Sequence, residues 1–563
     1  MGWIAGLLGT EDDPKAQGHC SSPRRLSDIP VAPSLFKLKT KLSYDIAIVG
    51  CGPVGALLAN LLGRYGLRIV VLERETAVYS LPRAAHLDDE ALRILQAVDV
   101  LSEALTAHRV IDGLDVVTGE GDVLFCARKA GAAEQPYGHP AATLIHQPTV
   151  EKALREGIRR YSNVDVRLGC AVEEVDDEGP FVRLRGRGPD GPFEVTASRL
   201  VGCDGAWSIV REVMKSPLRG GSLEQPWLVV DVVLKEKAEL PGRLLQIADP
   251  KRPATYVPFP NPRRRWEFML KRGETPESMT RPETIRALLC AHIDPNTVEV
   301  ERAAVYTYRD VTARGWRKGR FLIAGDAAHQ MPPFLGQGLC SGFRDAHNLA
   351  WKLALVAKDA ADPTLLDSYE AERRPHVQAI TRLAVRMGRL IQLVGVGARI
   401  RDAAVRMLHS VPSIKRRLLN LEGNIPHIPL AFSGGRAPKP TLLPQPTVEA
   451  QDGQRTLLDA FLGDGFALIG LGVSPRSWVD ADDLPTWQTL ITRAVHGISK
   501  DNSWPEVTEG EVAVRDSAGV LTKWARIEWG IIVVRPDRQV FGVYGADDWK
   551  MAAGGVREAV GLR

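Results

Sequence analysis

The chain has 563 residues, 44% hydrophobic and 25% charged, which is too long for one compact core and too apolar for disorder throughout, so about three structural units are expected. Its 72 basic and 68 acidic residues nearly cancel to a net charge of +4, and with no long basic stripe nucleic acid is not an expected partner. Seven cysteines without metal-ligand or CxxC spacing read as reduced cytoplasmic thiols with no metal site, and neither a secretory signal nor an apolar run of the roughly 18 residues a membrane span needs is found.

Residues 1–43 are polar and proline-bearing and are expected to be a flexible extension. Asp45-Ile46-Ala47-Ile48-Val49 then has the continuous apolar character of a buried parallel strand. Gly50-Cys51-Gly52-Pro53-Val54-Gly55 follows directly, matching GxGxxG and opening a predicted helix from Pro53 to Tyr65 that Gly66 closes. The first glycine permits the tight turn, the second lets a pyrophosphate approach the backbone, and the third lets helix and strand pack closely. The helix start offers free N–H groups and a positive dipole end. A second strand over Leu67–Leu72 delivers Glu73, whose carboxylate can accept ribose hydroxyls, with Arg74 beside it as a further cofactor candidate.

Gly186-Arg187-Gly188-Pro189-Asp190-Gly191 also fits GxGxxG, but it lies between alternating segments and opens no helix, so it reads as a hairpin turn. An amphipathic helix is predicted over Leu339–Ala357, and helical pattern dominates from Leu365 to about Leu421. Six prolines between Pro426 and Pro446 mark a linker. The strand-like segments Trp529–Val534 and Gln539–Tyr544 flank Arg535-Pro536-Asp537-Arg538, a predicted hairpin.

Dinucleotide binding is the reading of the first fingerprint, and two later motifs separate FAD from a nicotinamide. Leu200-Val201-Gly202-Cys203-Asp204-Gly205-Ala206-Trp207-Ser208, with Arg211 after it, resembles the "DG" motif of flavoprotein aromatic hydroxylases. Gly325-Asp326-Ala327-Ala328-His329, followed by Pro332-Pro333 and Gly336-Gln337-Gly338, resembles their "GD" motif. Asp326 follows the apolar strand Phe321–Ala324, where a carboxylate can meet ribityl hydroxyls, and Gly336, Gly338, Leu339 and Cys340 form a Gly-rich entry to a helix. GQGLCSGFRDAHNLAWKL and SYEAERRP, over 336–353 and 368–375, are similar to the 3-(3-hydroxyphenyl)propionate hydroxylase branch of the class A, single-component flavoprotein monooxygenases.

That resemblance implies an α/β fold in which a Rossmann-like FAD-binding domain (44–118, 141–216 and 305–375) is interleaved with a mixed-sheet substrate domain (119–140 and 217–304). A helical segment over 376–424, a linker over 425–449 and a thioredoxin-like domain over 450–563 would follow, the last without redox cysteines because none occurs after Cys340. It further implies that Arg83 approaches the FAD pyrophosphate, that Gln147 contacts FAD and that the Pro333 carbonyl lies near the flavin and the substrate hydroxyl. FAD would be reduced by NADH or NADPH and react with O2 to a C4a-hydroperoxyflavin, hydroxylating a small phenolic acid in the ortho position in aromatic catabolism. A larger polyphenol is the alternative substrate. A homodimer is left open.

A disulfide reductase would need a second fingerprint and a cysteine pair, and a flavin halogenase a Trp-x-Trp-x-Ile-Pro segment; the sequence has neither. A non-catalytic flavin-binding sensor stays open. His329 is the side-chain candidate for catalysis, Gln246 and Tyr256 for substrate binding, and Tyr308 stands in an equally plausible region, each against the alternative that it only packs.

Overall fold

The computed structural model describes residues 43–128, 135–419, 421–422, 425–436, 438, 441–490, 493–498, 504 and 510–562. The extension expected before residue 43 lies outside them. Strand Tyr44–Val49 runs parallel to both Ile69–Glu73 and Gly191–Gly202, at the centre of an eight-stranded sheet that continues to Val164–Leu168 on one side and Phe321–Ile323 on the other. Ile46, Ala47 and Ile48 are wholly buried, because helices cover both faces of a parallel sheet. Helix Pro53–Arg64 packs between helix Gln147–Ile158 and helix Gly338–Ala357. The second GxGxxG is a hairpin, Val182–Gly188 against Gly191–Gly202, with Gly188 paired to Gly191 and Gly191 at φ +112°.

Helix Gly338–Ala357 corrects the amphipathic expectation: it is buried on nearly every side. One flank lies on the nucleotide sheet's helices and another on helix Asp367–Ile391. Its polar residues therefore meet buried partners instead of forming a wet stripe: Arg344, Asp345 and Lys352 form ion pairs, and Asn348 hydrogen-bonds to Glu372 and Asp537.

A nine-stranded sheet forms the second unit, in the order His329–Gln330, Val298–Ala313, Leu218–Leu234, Arg263–Met269, Ala254–Val257, Leu244–Ile247, Gly113–Val117, Val123–Arg128 and Leu421–Glu422. Two of these strands contain residues that the sequence reading assigns to the nucleotide-binding unit. Gly113–Val117 pairs in parallel with Leu244–Ile247, and Val298–Ala313 runs unbroken past residue 305.

Helices Gly395–His409 and Pro412–Leu418 follow the long helix. The proline-rich stretch after them is fastened to the body of the protein: Leu443 is fully buried, its N–H bonds to the Arg538 carbonyl at 3.0 Å, and the Gln445 N–H bonds to the Pro136 carbonyl at 2.8 Å. The last unit has a seven-stranded sheet in which Ala467–Leu471 lies between the parallel strand Arg493–Ile498 and the antiparallel strand Gly530–Val534, which pairs with Val540–Tyr544 as the predicted hairpin.

That hairpin is locked to the helices by charge. Arg535 donates to both Glu372 oxygens, at 2.7 and 2.9 Å, and to both Asp537 oxygens, at 2.6 and 3.0 Å. Lys352 Nζ donates to Glu372 at 2.8 Å, and Trp351 and Phe432 lie against the Arg535 guanidinium. Burial lowers the Lys352 pKa to about 8; burial also raises that of Glu372, but Arg535 and Lys352 outweigh it and hold the carboxyl well below the usual range.

Candidate active site

The fingerprint turn is shaped by contact distances. A Cβ on Gly50, which sits at φ +97°, would lie 2.5 Å from the Cys203 carbonyl oxygen, so the GxGxxG turn and the Cys203-Asp204 backbone touch. One on Gly55 would lie 2.0 Å from the Gly50 carbonyl oxygen. One on Gly52 would meet nothing within 4 Å. The close approaches explain the outer glycines, and the open space at Gly52 lies at the start of helix Pro53–Arg64. The first helical bond there is Ala56 N–H to Gly52 O, 2.9 Å, which leaves the preceding amides to an anionic ligand.

Glu73 closes this half of the site. Its carboxylate accepts from the Cys51 N–H at 2.6 Å and the Glu75 N–H at 2.9 Å, fixing it beside the turn with acceptor sites to spare. Arg74 is exposed and paired with exposed Glu75 at 3.3 Å. Arg155, which no sequence motif marks, donates to the Cys51 carbonyl at 2.9 Å and pairs with Glu151 at 2.7 Å.

Asp204 accepts the Ile209 N–H at 2.8 Å, capping a short helix with one oxygen, while its buried Oδ1 has no partner among the described residues. Asp326 lies in the turn Gly325–Ala327 with its side chain exposed, yet enough protein surrounds the carboxyl to raise its pKa. An open Gly52, an unspent Asp204 oxygen and an exposed Asp326 fit a dinucleotide whose phosphates and hydroxyls need these partners. Gly325 and Gly342 both abut Val54, so the GD turn and the later helix close on the fingerprint helix.

After Pro333–Leu335, Gly336 takes φ +64° with its Cα against the His86 ring, and helix Gly338–Ala357 begins. The first-turn amides of Gly338, Leu339 and Cys340 have no intrahelical acceptor. Cys340 contributes no side chain to this surface: its thiol is buried, 3.7 Å from the His86 carbonyl oxygen.

Gln147 positions Arg83. Its Oε1 accepts the Arg83 and Ala84 N–H groups at 2.9 and 2.7 Å. The same loop is held from the sheet by Arg302, which donates to the Pro82 carbonyl at 2.7 Å, and by Arg265, which donates to the Arg83 carbonyl at 3.1 Å. Both guanidiniums pair with buried Asp231 at 2.6 Å. The Arg83 side chain is exposed over Tyr79.

Between this loop, the Pro333–Leu339 turn and the nine-stranded sheet lies a cavity of about 350 Å³. Phe334, Met331, Val257 and Leu244 give it apolar walls, and Gln246, Thr255, Arg265 and Glu267 a polar one. Thr255 donates to Gln246 at 2.9 Å, and Tyr308 donates to Glu267 at 3.1 Å. Burial raises the pKa of Glu267, and burial with the nearby Glu267 charge raises that of Tyr308.

Pro333 and Gln246 line this cavity; two other candidates do not. In strand Ala254–Val257 side chains alternate, so Thr255 and Val257 face the cavity while Tyr256 turns into the opposite core, its ring 5.1 Å from Trp266 and its hydroxyl on the Pro241 carbonyl. His329 is buried outside the lining, stacked on Trp316 at 5.3 Å with Nε2 2.7 Å from Asp345, which also accepts from Arg373 and the Gly325 N–H. It braces the GD turn. Sequence motifs mark neither Glu267 nor Thr255, although their two-residue spacing puts Arg265 and Glu267 on one face of strand Arg263–Met269.

Among the described residues no group of three or more His, Cys, Asp or Glu could hold a metal, and no helix is long and apolar enough to cross a membrane. Residues 43–384 match the FAD binding domain family, and 441–559 match the family described as the HcaD C-terminal domain. The chain is 34% identical over 514 residues to a 3-(3-hydroxy-phenyl)propionate/3-hydroxycinnamic acid hydroxylase of Klebsiella pneumoniae (strain 342), covering 88% of this chain and 91% of that one. It is 33% identical over 520 residues, with the same coverages, to the protein of that name in Escherichia coli (strain K12 / DH10B). Its fold matches aklavinone-11 hydroxylase, solved with FAD and aklavinone, at a TM-score of 0.74 and 22% identity over 92% of this chain and 99% of that one. p-Nitrophenol 4-monooxygenase PnpA from Pseudomonas putida DLL-E4 matches at 0.61 and 27% identity over 66% and 96%.

Proposed function

The chain belongs to the flavoprotein aromatic hydroxylases built on the FAD binding domain, and on that premise we propose that it is an NAD(P)H-dependent monooxygenase adding a hydroxyl ortho to that of a small phenolic acid resembling 3-(3-hydroxyphenyl)propionate, in aromatic catabolism. The observation that carries the reading is the cavity of about 350 Å³ between the Pro333–Leu339 turn and the polar wall of the nine-stranded sheet. That volume is near the lower end for ligand pockets, which favours one aromatic ring over a larger polyphenol.

Bound FAD, reduced by NADH or NADPH, would activate O2 and supply an electrophilic oxygen to the ring. The chain's residues do the rest by position and dryness. The amides opening helix Pro53–Arg64 would take the pyrophosphate, Glu73 the ribose, and Asp326 the ribityl chain. The amides of Gly338 and Leu339 would face the flavin edge that gains negative charge on reduction, and the Pro333 carbonyl would direct the substrate hydroxyl. Arg83, exposed on a loop pinned from behind by Gln147, Arg265 and Arg302, would bind the phosphates of FAD and of a transiently bound nicotinamide nucleotide. The C-terminal unit is read as thioredoxin-like, supported by its strand order of a parallel pair beside an antiparallel hairpin.

The test is NAD(P)H consumption and product analysis on purified holoenzyme with a panel of phenols including 3-(3-hydroxyphenyl)propionate. Phenol-stimulated consumption matched by a dihydroxylated product is expected. Consumption that no phenol stimulates would leave a flavin-binding sensor as the better description.

A further inference from the structure

We propose that Glu267 is the catalytic base of this site, accepting the phenolic proton of the substrate as the ring is attacked; the assignment rests on the hydroxylase reading above. Among the described residues six titratable side chains line the cavity: Arg83, His86, Asp88, Asp112, Arg265 and Glu267. Asp88 is committed elsewhere, capping helix Asp89–Ala97 through the Ala91 N–H at 2.9 Å and pairing with Arg344 at 2.7 Å. Asp112 is exposed at the rim, 3.7 Å from Arg243. The two arginines carry no basic electron pair. His86 and Glu267 remain.

His86 stands on the cofactor side, its ring packed against Gly336 with Nδ1 3.4 Å from the Gly336 carbonyl oxygen. Glu267 stands on the opposite, substrate-facing sheet. Its cross-strand neighbour Thr255 and then Gln246 extend the same polar row along the cavity wall. The carboxylate is nine-tenths buried and receives one close hydrogen bond, from Tyr308. Arg265, 3.7 Å away, is held by Asp231 at 2.6 Å. A carboxylate has about four acceptor sites, so most of its capacity is open to a donor in the cavity. Desolvation makes it a stronger base than a surface glutamate, since burial raises its pKa.

The step balances within the site. The phenolic O–H bond breaks, its proton forms an O–H bond on Glu267, and the electron pair stays on the phenolate oxygen, enriching the ortho and para carbons toward an electrophilic oxygen. One negative charge moves from Glu267 to the substrate, so the charge beside Arg265 is unchanged. Tyr308, whose own pKa is raised, stays a donor and holds the carboxylate in place.

The experiment compares FAD-loaded wild type, E267Q, E267D and H86Q on 3-(3-hydroxyphenyl)propionate and on its more acidic ring-fluorinated analogue. E267Q is expected to load FAD but to hydroxylate the parent phenol about 100-fold or more slowly at neutral pH, with E267D intermediate. Its rate should recover as pH rises toward the phenol's own pKa, and the fluorinated probe should narrow the gap to wild type. Wild-type kcat should fall on the acid side at a pH above the ordinary carboxylate range, a limb missing from E267Q. An E267Q rate within threefold of wild type, an unchanged acid limb, or a limb removed by H86Q would overturn the assignment while leaving the hydroxylase reading intact. A deficit in E267Q equal for both probes at every pH would overturn it too, as the mark of a structural role. If the wild-type holoenzyme hydroxylates neither probe, the proposed function and this assignment fall together.

Discussion

At the scale of single residues, the three fingerprint glycines do different work. Gly55 has no room for a methyl group, since its Cβ would lie 2.0 Å from a backbone oxygen; Gly52 has open space. Gly52→Val is therefore expected to leave the melting temperature of the FAD-free protein within about 3 °C of wild type, a stability change of under about 1 kcal/mol. It should weaken FAD binding at least tenfold, about 1.4 kcal/mol, by filling the pyrophosphate's place. Gly55→Val should lower the FAD-free melting temperature itself. Fluorescence titration with FAD and thermal melts of both variants check the pair, and a Gly52→Val protein that binds FAD normally would contradict the site. Glycine roles were legible in the sequence because strand, turn and helix are contiguous there. The side-chain roles of Tyr256 and His329 were not, because a strand's inward face is set by its pairing partners and a histidine's burial by distant elements such as Trp316 and Asp345.

Between elements, the decisive contacts are buried charges. Helix Gly338–Ala357, helix Asp367–Ile391 and the Gly530–Tyr544 hairpin meet at Lys352, Glu372, Arg535 and Asp537, all but the last wholly buried. Removing Glu372 would leave two cations, Lys352 and Arg535, with the single carboxylate of Asp537 in a dry interior, where an uncompensated charge costs about 3–5 kcal/mol. Glu372→Ala is therefore expected to lower stability by about that amount in chemical denaturation, whereas Glu120→Ala, at an exposed surface pair with Arg406, should change it by less than about 1 kcal/mol. Equal effects from the two would show that the lock carries no weight. SYEAERRP carried the family resemblance in the sequence, but nothing local could reveal that its Glu372 answers an arginine 163 positions away.

Over the whole molecule, acid sensitivity follows from groups kept neutral or paired inside. Burial and the nearby Arg93 charge lower the His139 pKa from 6.5 to about 4, and His139 Nε2 lies 2.6 Å from Gln96 Oε1. The unfolded imidazole takes up a proton near pH 6.5 and the folded one only near 4, so this stabilisation is complete above 6.5 and is lost as pH falls to about 4. The loss amounts to at most about 3 kcal/mol. His347 shifts the same way, also to about 4. Burial raises the Asp459 pKa, but Arg93 and Arg538 outweigh it and bring it to about 2, adding a second loss between pH 3.8 and 2. Stability measured by denaturant titration should thus decline from pH 6.5 to 4, and His139→Gln should flatten part of that decline; a parallel slope in the variant would rule His139 out.

The sequence by itself determined the nucleotide fingerprint, the Asp204 and Asp326 motifs and both predicted hairpins, because each is written in neighbouring residues whose backbone geometry is locally constrained. Tertiary structure alone decided that Gly113–Val117 joins the second sheet, that the proline-rich stretch is fastened down, and that Glu267 faces the cavity while Tyr256 does not. Those outcomes depend on strand register and on charges that meet across hundreds of residues, and such pairings have no local signature.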